Sequence, residues 1–183
     1  MWSSGIKGTD WFVAIGGFRV AEVKDPRILV RTVADAASPQ LMQIFDAGRV
    51  AGRDHLYMAA VNAAKSTESG MAVSKNITVE TLLYASAQDQ ITKAVATMGI
   101  NIDSKKVALI VFAHNRAEAE KGYNRVVKFL GCEDDSVLEI DAEKAETLRE
   151  SYGIGDDELK AAGGSEALGS LIVERGTLLS LRR

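Results

Sequence analysis

Apolar and polar positions along this 183-residue chain sort into short β-rich runs and longer stretches of helical spacing. Trp11-Phe12-Val13-Ala14-Ile15 has the make-up of a strand, which Gly16-Gly17 is expected to end. Asp25-Pro26 follows as a helix start, a capping carboxylate before proline at the first helical position. Ile28, Leu29, Thr32, Val33 and Ala36 recur at helical spacing to about residue 37, where Ser38-Pro39 breaks the helix. Leu41 to Phe45 is an apolar run of strand length. From Asp54 to about Ser66, the pattern Leu56, Ala59, Ala60, Ala63, Ala64 predicts a helix with a narrow, close-packing face. Thr78 to Ser86 is ambiguous by periodicity, and the β-branched residues at its start favour a strand. Ile91, Ala94, Val95 and Met98 predict a short helix closed by Gly99.

Val107 to Phe112 is the clearest strand, apolar throughout and so expected at the buried centre of a sheet. Residues 116–130 read as a helix with Tyr123, Val126, Val127 and Leu130 on one face, and Val137 to Ile140 as an edge strand. Ala142 to Tyr152 is helical, Gly153 and Gly155 interrupt it, and Asp156 to Ala162 adds a turn or two. Gly163-Gly164 then separates a last amphipathic helix at about 165–179. The pattern predicts an α/β fold in a single domain over 1–183, with a central mixed or antiparallel sheet of about four to five strands flanked by helices. No repeat or interdomain linker interrupts it.

Composition narrows the class. A hydrophobic content of 46% suits one globular domain with a proper core. No run approaches the ~18 apolar residues of a membrane span, and the first residues lack the layout of a signal peptide. Cys132 is the only cysteine, which removes a disulfide framework and a thiolate metal site. A soluble cytoplasmic protein without membrane contact is expected. The net charge of −3 hides an asymmetry: residues 1–132 carry a net +4, residues 133–166 a net −9, and the remainder +2. A basic body with an acidic flank permits weak nucleic-acid contact on one side only.

Candidate chemistry is sparse. There is no phosphate-binding glycine loop and no nucleophile elbow. Gly153-Ile154-Gly155 leads into Asp156-Asp157-Glu158, whose carboxylates would repel a phosphate, so it reads as a helix stop. His114 and Glu118 stand four apart, but two ligands do not make a zinc site, and a capping or surface histidine fits better. His55 opens the Ala-rich helix and is structural or touches a ligand, while Cys132 reads as a passive small residue. No catalytic residue, cofactor or metal is expected. In the last helix Leu168, Leu171, Ile172, Leu178 and Leu179 form an apolar set, with Glu174, Arg175, Arg182 and Arg183 polar. Such a set is buried on its own domain or on a partner.

Several segments resemble a known family. They are Ile44-Phe45-Asp46-Ala47-Gly48-Arg49-Val50-Ala51-Gly52-Arg53-Asp54-His55-Leu56, Lys75 to Ser86, Gln90 to Ala94, Met98-Gly99-Ile100, Ser151-Tyr152-Gly153-Ile154, and Leu171 to Leu179. In order and spacing they look like the kinase-binding small subunit of the KEOPS tRNA-modification complex, similar to the PRPK-binding protein family and archaeal in style. Relatives often carry Ser-Gly-x-Arg-Gln-Ile where this chain has Ser86-Ala87-Gln88-Asp89-Gln90-Ile91, so a glycine and an arginine are replaced. Gly176 also stands where a helix former is usual, which predicts fraying by up to ~1 kcal/mol.

The resemblance implies a non-catalytic α/β subunit that binds the atypical kinase/ATPase subunit and supports its activity. Through the kinase it would join the threonylcarbamoyl transferase and dimerising subunits. It also implies recruitment of tRNA by its single-stranded 3′ CCA end, for threonylcarbamoylation of the adenosine beside the anticodon. Single-stranded ends are held by basic side chains and stacking surfaces. Arg49, Arg53, His55, Lys65, Lys75 and Asn76, close together in sequence, are the candidates for that contact. Leu168, Leu171, Ile172, Arg175, Leu178 and Leu179 are the candidates for the kinase. Two other readings compete: a small α/β enzyme or metabolite-binding protein with a non-contiguous pocket, and a free-standing RNA-binding module. The overall net charge of −3 counts against the latter.

Overall fold

A computed structural model describes residues 1–181. Five strands, β1 (Trp2–Gly5), β2 (Phe12–Arg19), β3 (Leu41–Asp46), β4 (Lys106–Ala113) and β5 (Cys132–Glu133), form one sheet in the order β1–β2–β4–β3. β5 pairs with the far end of β2, at Phe18 and Arg19. All pairings are antiparallel. The helices are α1 (Pro26–Ala37), α2 (Arg53–Glu68), α3 (Ile77–Ser86), α4 (Ile91–Met98), α5 (Arg116–Leu130), α6 (Ala142–Tyr152), α7 (Asp156–Ala161) and α8 (Leu168–Leu178). The expected α/β architecture therefore forms, with the sheet in its antiparallel variant.

Strand side chains alternate between two cores, as the pleat requires. Ala108, Ile110 and Phe112 of β4 join Val13, Ile15 and Phe45 beneath α2 and α3. Val107, Leu109 and Val111 join Phe18, Met42 and Ile44 beneath α1 and α5. β4 is apolar from Val107 to Ala113 because helices cover both faces of the sheet. The α1 start is as expected: Asp25 accepts from the amides of Arg27 and Ile28 at 2.8 and 3.3 Å, with Pro26 in the first turn. At its other end Arg125 of α5 donates to the carbonyls of Ala36 and Ser38, both at 2.9 Å. A third cluster, with Leu148, Tyr152, Ile154, Leu168 and Ile172, packs α6 and α8 under Ala51.

Several expectations are corrected. Residues 78–86 belong to the helix α3, not to a strand. Asn76 caps it, accepting from the Thr78 amide at 3.0 Å, and the helix is enclosed on nearly all sides. An enclosed helix needs no polar stripe, which is why the periodicity was uninformative. Gly16-Gly17 does not end its strand, since β2 continues to Arg19. A Cβ at Gly16 would lie 1.8 Å from Tyr123 Oη, and one at Gly17 2.5 Å from Val137 Cγ2, so these glycines admit neighbours on opposite faces.

Residues 137–140 are not an edge strand; Asp135–Leu138 form a 3-10 turn across β2. Lys144 explains it: its buried ammonium donates to the carbonyls of Val137, Leu138 and Glu139 at 2.9, 3.0 and 3.1 Å, engaging acceptors that a strand ladder would need. Two short strands, β1 and β5, had no clear sequence signal. The last helix is shorter than expected, a 3-10 turn at Ser165–Ala167 preceding α8 and another at Leu179–Leu181 following it. Arg182 and Arg183, read as polar positions of that helix, lie outside the described residues.

Candidate functional site

The longest of the motif segments forms the turn from β3 into α2. Asp46, at the end of β3, accepts from the Gly48 amide at 2.9 Å and from Ser104 Oγ at 2.6 Å, which starts a 3-10 turn over Ala47–Arg49. Gly52, at φ +98, lets the chain enter α2 in a conformation open to glycine. His55 locks the turn from inside. Its Nδ1 accepts from the Ala51 amide at 3.1 Å, so Nε2 carries the proton and donates to the Ala85 carbonyl at 2.9 Å. Tyr152 Oη donates to the same carbonyl at 2.7 Å, joining α6 to α2 and α3. Burial holds the His55 imidazole neutral, with its pKa lowered to about 4.

On the outer side of this turn the Arg53 guanidinium lies 4.9 Å from the Trp2 ring centroid, within cation–π range. Tyr57 meets the same ring edge-on at 5.2 Å. An open cleft of about 490 Å³ adjoins it between the starts of α2 and α8, lined among others by Gly52, Asp54, Met58, Glu166 and Ser170. The cleft brings one guanidinium, of Arg53, together with the carboxylates of Asp54 and Glu166. Among the described residues no group of three or more His, Cys, Asp or Glu is placed to hold a metal ion, and no helix is long and apolar enough to cross a membrane.

The six candidates for the tRNA contact fall into two groups. Arg49, Arg53 and His55 sit at the start of α2; Lys65 lies near its other end, roughly 18 Å away along the axis, before the loop bearing Lys75 and Asn76. Arg53, Lys65 and Lys75 are exposed. Arg49 donates to Ser151 Oγ of α6, and Asn76 is engaged as the α3 cap. His55 is 2% exposed and has both nitrogens engaged.

The apolar set of the last helix is largely internal. Leu168, Ile172 and Leu179 are buried, Leu171 is half-buried, and only Leu178 is exposed. Arg175 pairs with Glu158 at 2.7 Å. The apparent surplus of leucines arises because α8 packs on α2, α3 and α6 together, and Gly176 makes this possible. A Cβ there would stand 2.5 Å from the Tyr84 carbonyl, so the glycine marks a close helix crossing and not a weak point. His114 is exposed and lies over Trp11, ring centroids 4.5 Å apart, and Cys132 is exposed in β5. Gly153, at φ 61, ends α6 as a left-handed cap, the helix stop expected there.

One surface escaped the sequence reading, an apolar groove of about 450 Å³ along the β3 edge, bordered by α1 and α4. Its signal was present in α4. Ala94 and Met98 face inward while Ile91 and Val95 are exposed, so one apolar series serves two faces.

A family model described as "Kinase binding protein CGI-121" matches residues 20–178, from just after β2 through α8. The chain belongs to this family. The resemblance to the KEOPS kinase-binding subunit is thus borne out. "Regulatory protein Cgi121" of Methanocaldococcus jannaschii is 34% identical over 113 residues, covering 61% of this chain and 70% of the relative. The match takes in β3, β4 and the helices α1 to α8.

Proposed function

We propose that this chain is the non-catalytic, kinase-binding regulatory subunit of a cytoplasmic KEOPS-type complex. It binds the atypical kinase/ATPase, supports its activity, and meets the transferase and dimerising subunits through it. It also helps to recruit tRNA by the 3′ CCA end for threonylcarbamoylation. The observation that carries this reading is the match to a kinase-binding family over residues 20–178. For the tRNA role the supporting geometry is the Trp2–Arg53–Tyr57 surface, where a cation and two aromatic rings stand together. Such a surface suits stacking bases and phosphates. The enzyme reading calls for shifted titratable groups converging on a pocket. The one that borders a cleft, His55, has both nitrogens bound to backbone.

The test is reconstitution with the cognate kinase and tRNA. Wild type is expected to co-elute with the kinase and to raise its ATPase turnover. The pair should bind intact tRNA at least about tenfold more tightly than tRNA lacking CCA, and Arg53→Glu should remove most of that preference. Failure to co-elute would sink the kinase role; equal binding of the two tRNAs would sink the recruitment role alone.

A further inference from the structure

The β3–α1–α4 groove combines exposed apolar side chains with positive charge. β3 is the outermost strand of the sheet on its side. α1 covers one face of the sheet there, and α3 with α4 covers the other, so the strand edge forms the floor of a trough between them. Ile44 lies in the floor, and Val30, Ile91 and Val95 form the walls at 37, 45 and 50% exposure. A globular domain rarely leaves so many neighbouring branched side chains in water unless something covers them. α4 in particular is apolar on the stripe that meets the core and also on the stripe that meets the trough. The inner stripe is explained by folding; the outer one is not.

The lining contains two cations, Arg27 and Arg31, and no carboxylate. The nearby carboxylates do not neutralise them. Asp25 is engaged in capping α1, at 2.8 Å from the Arg27 amide. Asp35 stands 4.0 Å from Arg31 with both side chains more than three-quarters exposed, a contact of little strength. Along the floor Gln43 Nε2 donates to the Ile44 carbonyl at 3.0 Å, which occupies one acceptor of the strand edge. An apolar centre with arginines at its rim has the anatomy of a protein interface, and it selects a partner segment bearing carboxylates beside its apolar residues.

We propose that this groove is where the kinase docks, through an apolar segment flanked by acidic side chains; the proposal rests on the kinase-binding reading above. It replaces α8 as the principal contact, because Leu168, Ile172 and Leu179 are already buried within the domain.

The experiment is calorimetric titration of the purified cognate kinase into the full chain and its variants, each checked for folding by circular dichroism and thermal midpoint. Val95 is half exposed, so Val95→Glu should fold normally. It is expected to weaken binding about a hundredfold or more. Arg27→Glu/Arg31→Glu should weaken it about tenfold or more at low salt and flatten the dependence of affinity on salt. Wild-type affinity from a folded Val95→Glu would overturn the groove while leaving kinase binding intact. So would loss of binding in Leu178→Glu alone, which would return the interface to α8. An arginine reversal that strengthened binding would overturn the acidic partner segment. Wild type that does not bind the kinase at all would overturn the functional reading and this proposal together.

Discussion

Ala87 ends α3 at φ 53, ψ 30, in the left-handed region, the only residue other than glycine found at positive φ among those described. The resemblance had marked it as a place where relatives often carry glycine. The conformation gives the physical reason, since a Cβ in that region costs roughly 1–2 kcal/mol and glycine avoids most of it. Ala87→Gly is therefore expected to stabilise the domain by about 1 kcal/mol, read as a higher urea midpoint with an unchanged slope. His55 supplies a second test. In the folded chain its pKa is lowered from 6.5 to about 4. Above about pH 6.5 neither state binds the proton; as the pH falls towards 4 only the unfolded chain does, so stability declines across that window. From pH 7.5 to pH 5 the loss amounts to about 2 kcal/mol. Denaturation at pH 7.5 and pH 5 should show wild type losing that much more than His55→Gln, which starts less stable but lacks the titrating group. Equal losses would show that the buried imidazole is not what links folding to pH here.

Among elements, α3 and α8 show what periodicity can and cannot convey. The α3 segment has the β-branched start of a strand and no amphipathic stripe, yet Asn76 caps it and α2, α4 and α8 enclose it. Its helical state follows from those neighbours. In α8 the sequence points to two weaknesses, a surplus of leucines and a mid-helix glycine, and the packing accounts for both. Because a Cβ at Gly176 would approach the Tyr84 carbonyl to 2.5 Å, Gly176→Ala should destabilise the chain although alanine is the better helix former. Overpacking at about 1–3 kcal/mol outweighs a propensity gain of about 1 kcal/mol, so a fall in stability of roughly 1–2 kcal/mol is expected in thermal or urea unfolding. A rise in stability would mean that α8 can move away from α3 at little cost.

At the scale of the molecule, the sheet divides the domain into two cores, and β4 belongs to both. Its neighbours are β2 and β3, and helices cover each face. The slowest hydrogen exchange is expected in peptides spanning 107–112, and fast exchange in α7, which has no buried residue. Comparable rates in the two would contradict a sheet-centred hierarchy of stability. Much of this organisation was written locally. The Asp25-Pro26 cap, the apolar run of β4, the Gly153 stop and the alternation of strands with helices each depend on a few adjacent residues, and so does the order of motifs that carries the family. What only the tertiary structure decided depends on residues far apart in the chain. Lys144 gathers three carbonyls and turns a would-be strand into a 3-10 turn. Tyr123 and Val137 require the two glycines of β2. The packing of α8 on three helices buries leucines that the sequence alone offered to a partner. The same long-range packing leaves Ile91 and Val95 uncovered, because exposure is settled by what lies beside a residue in space, and the period of a helix does not record that.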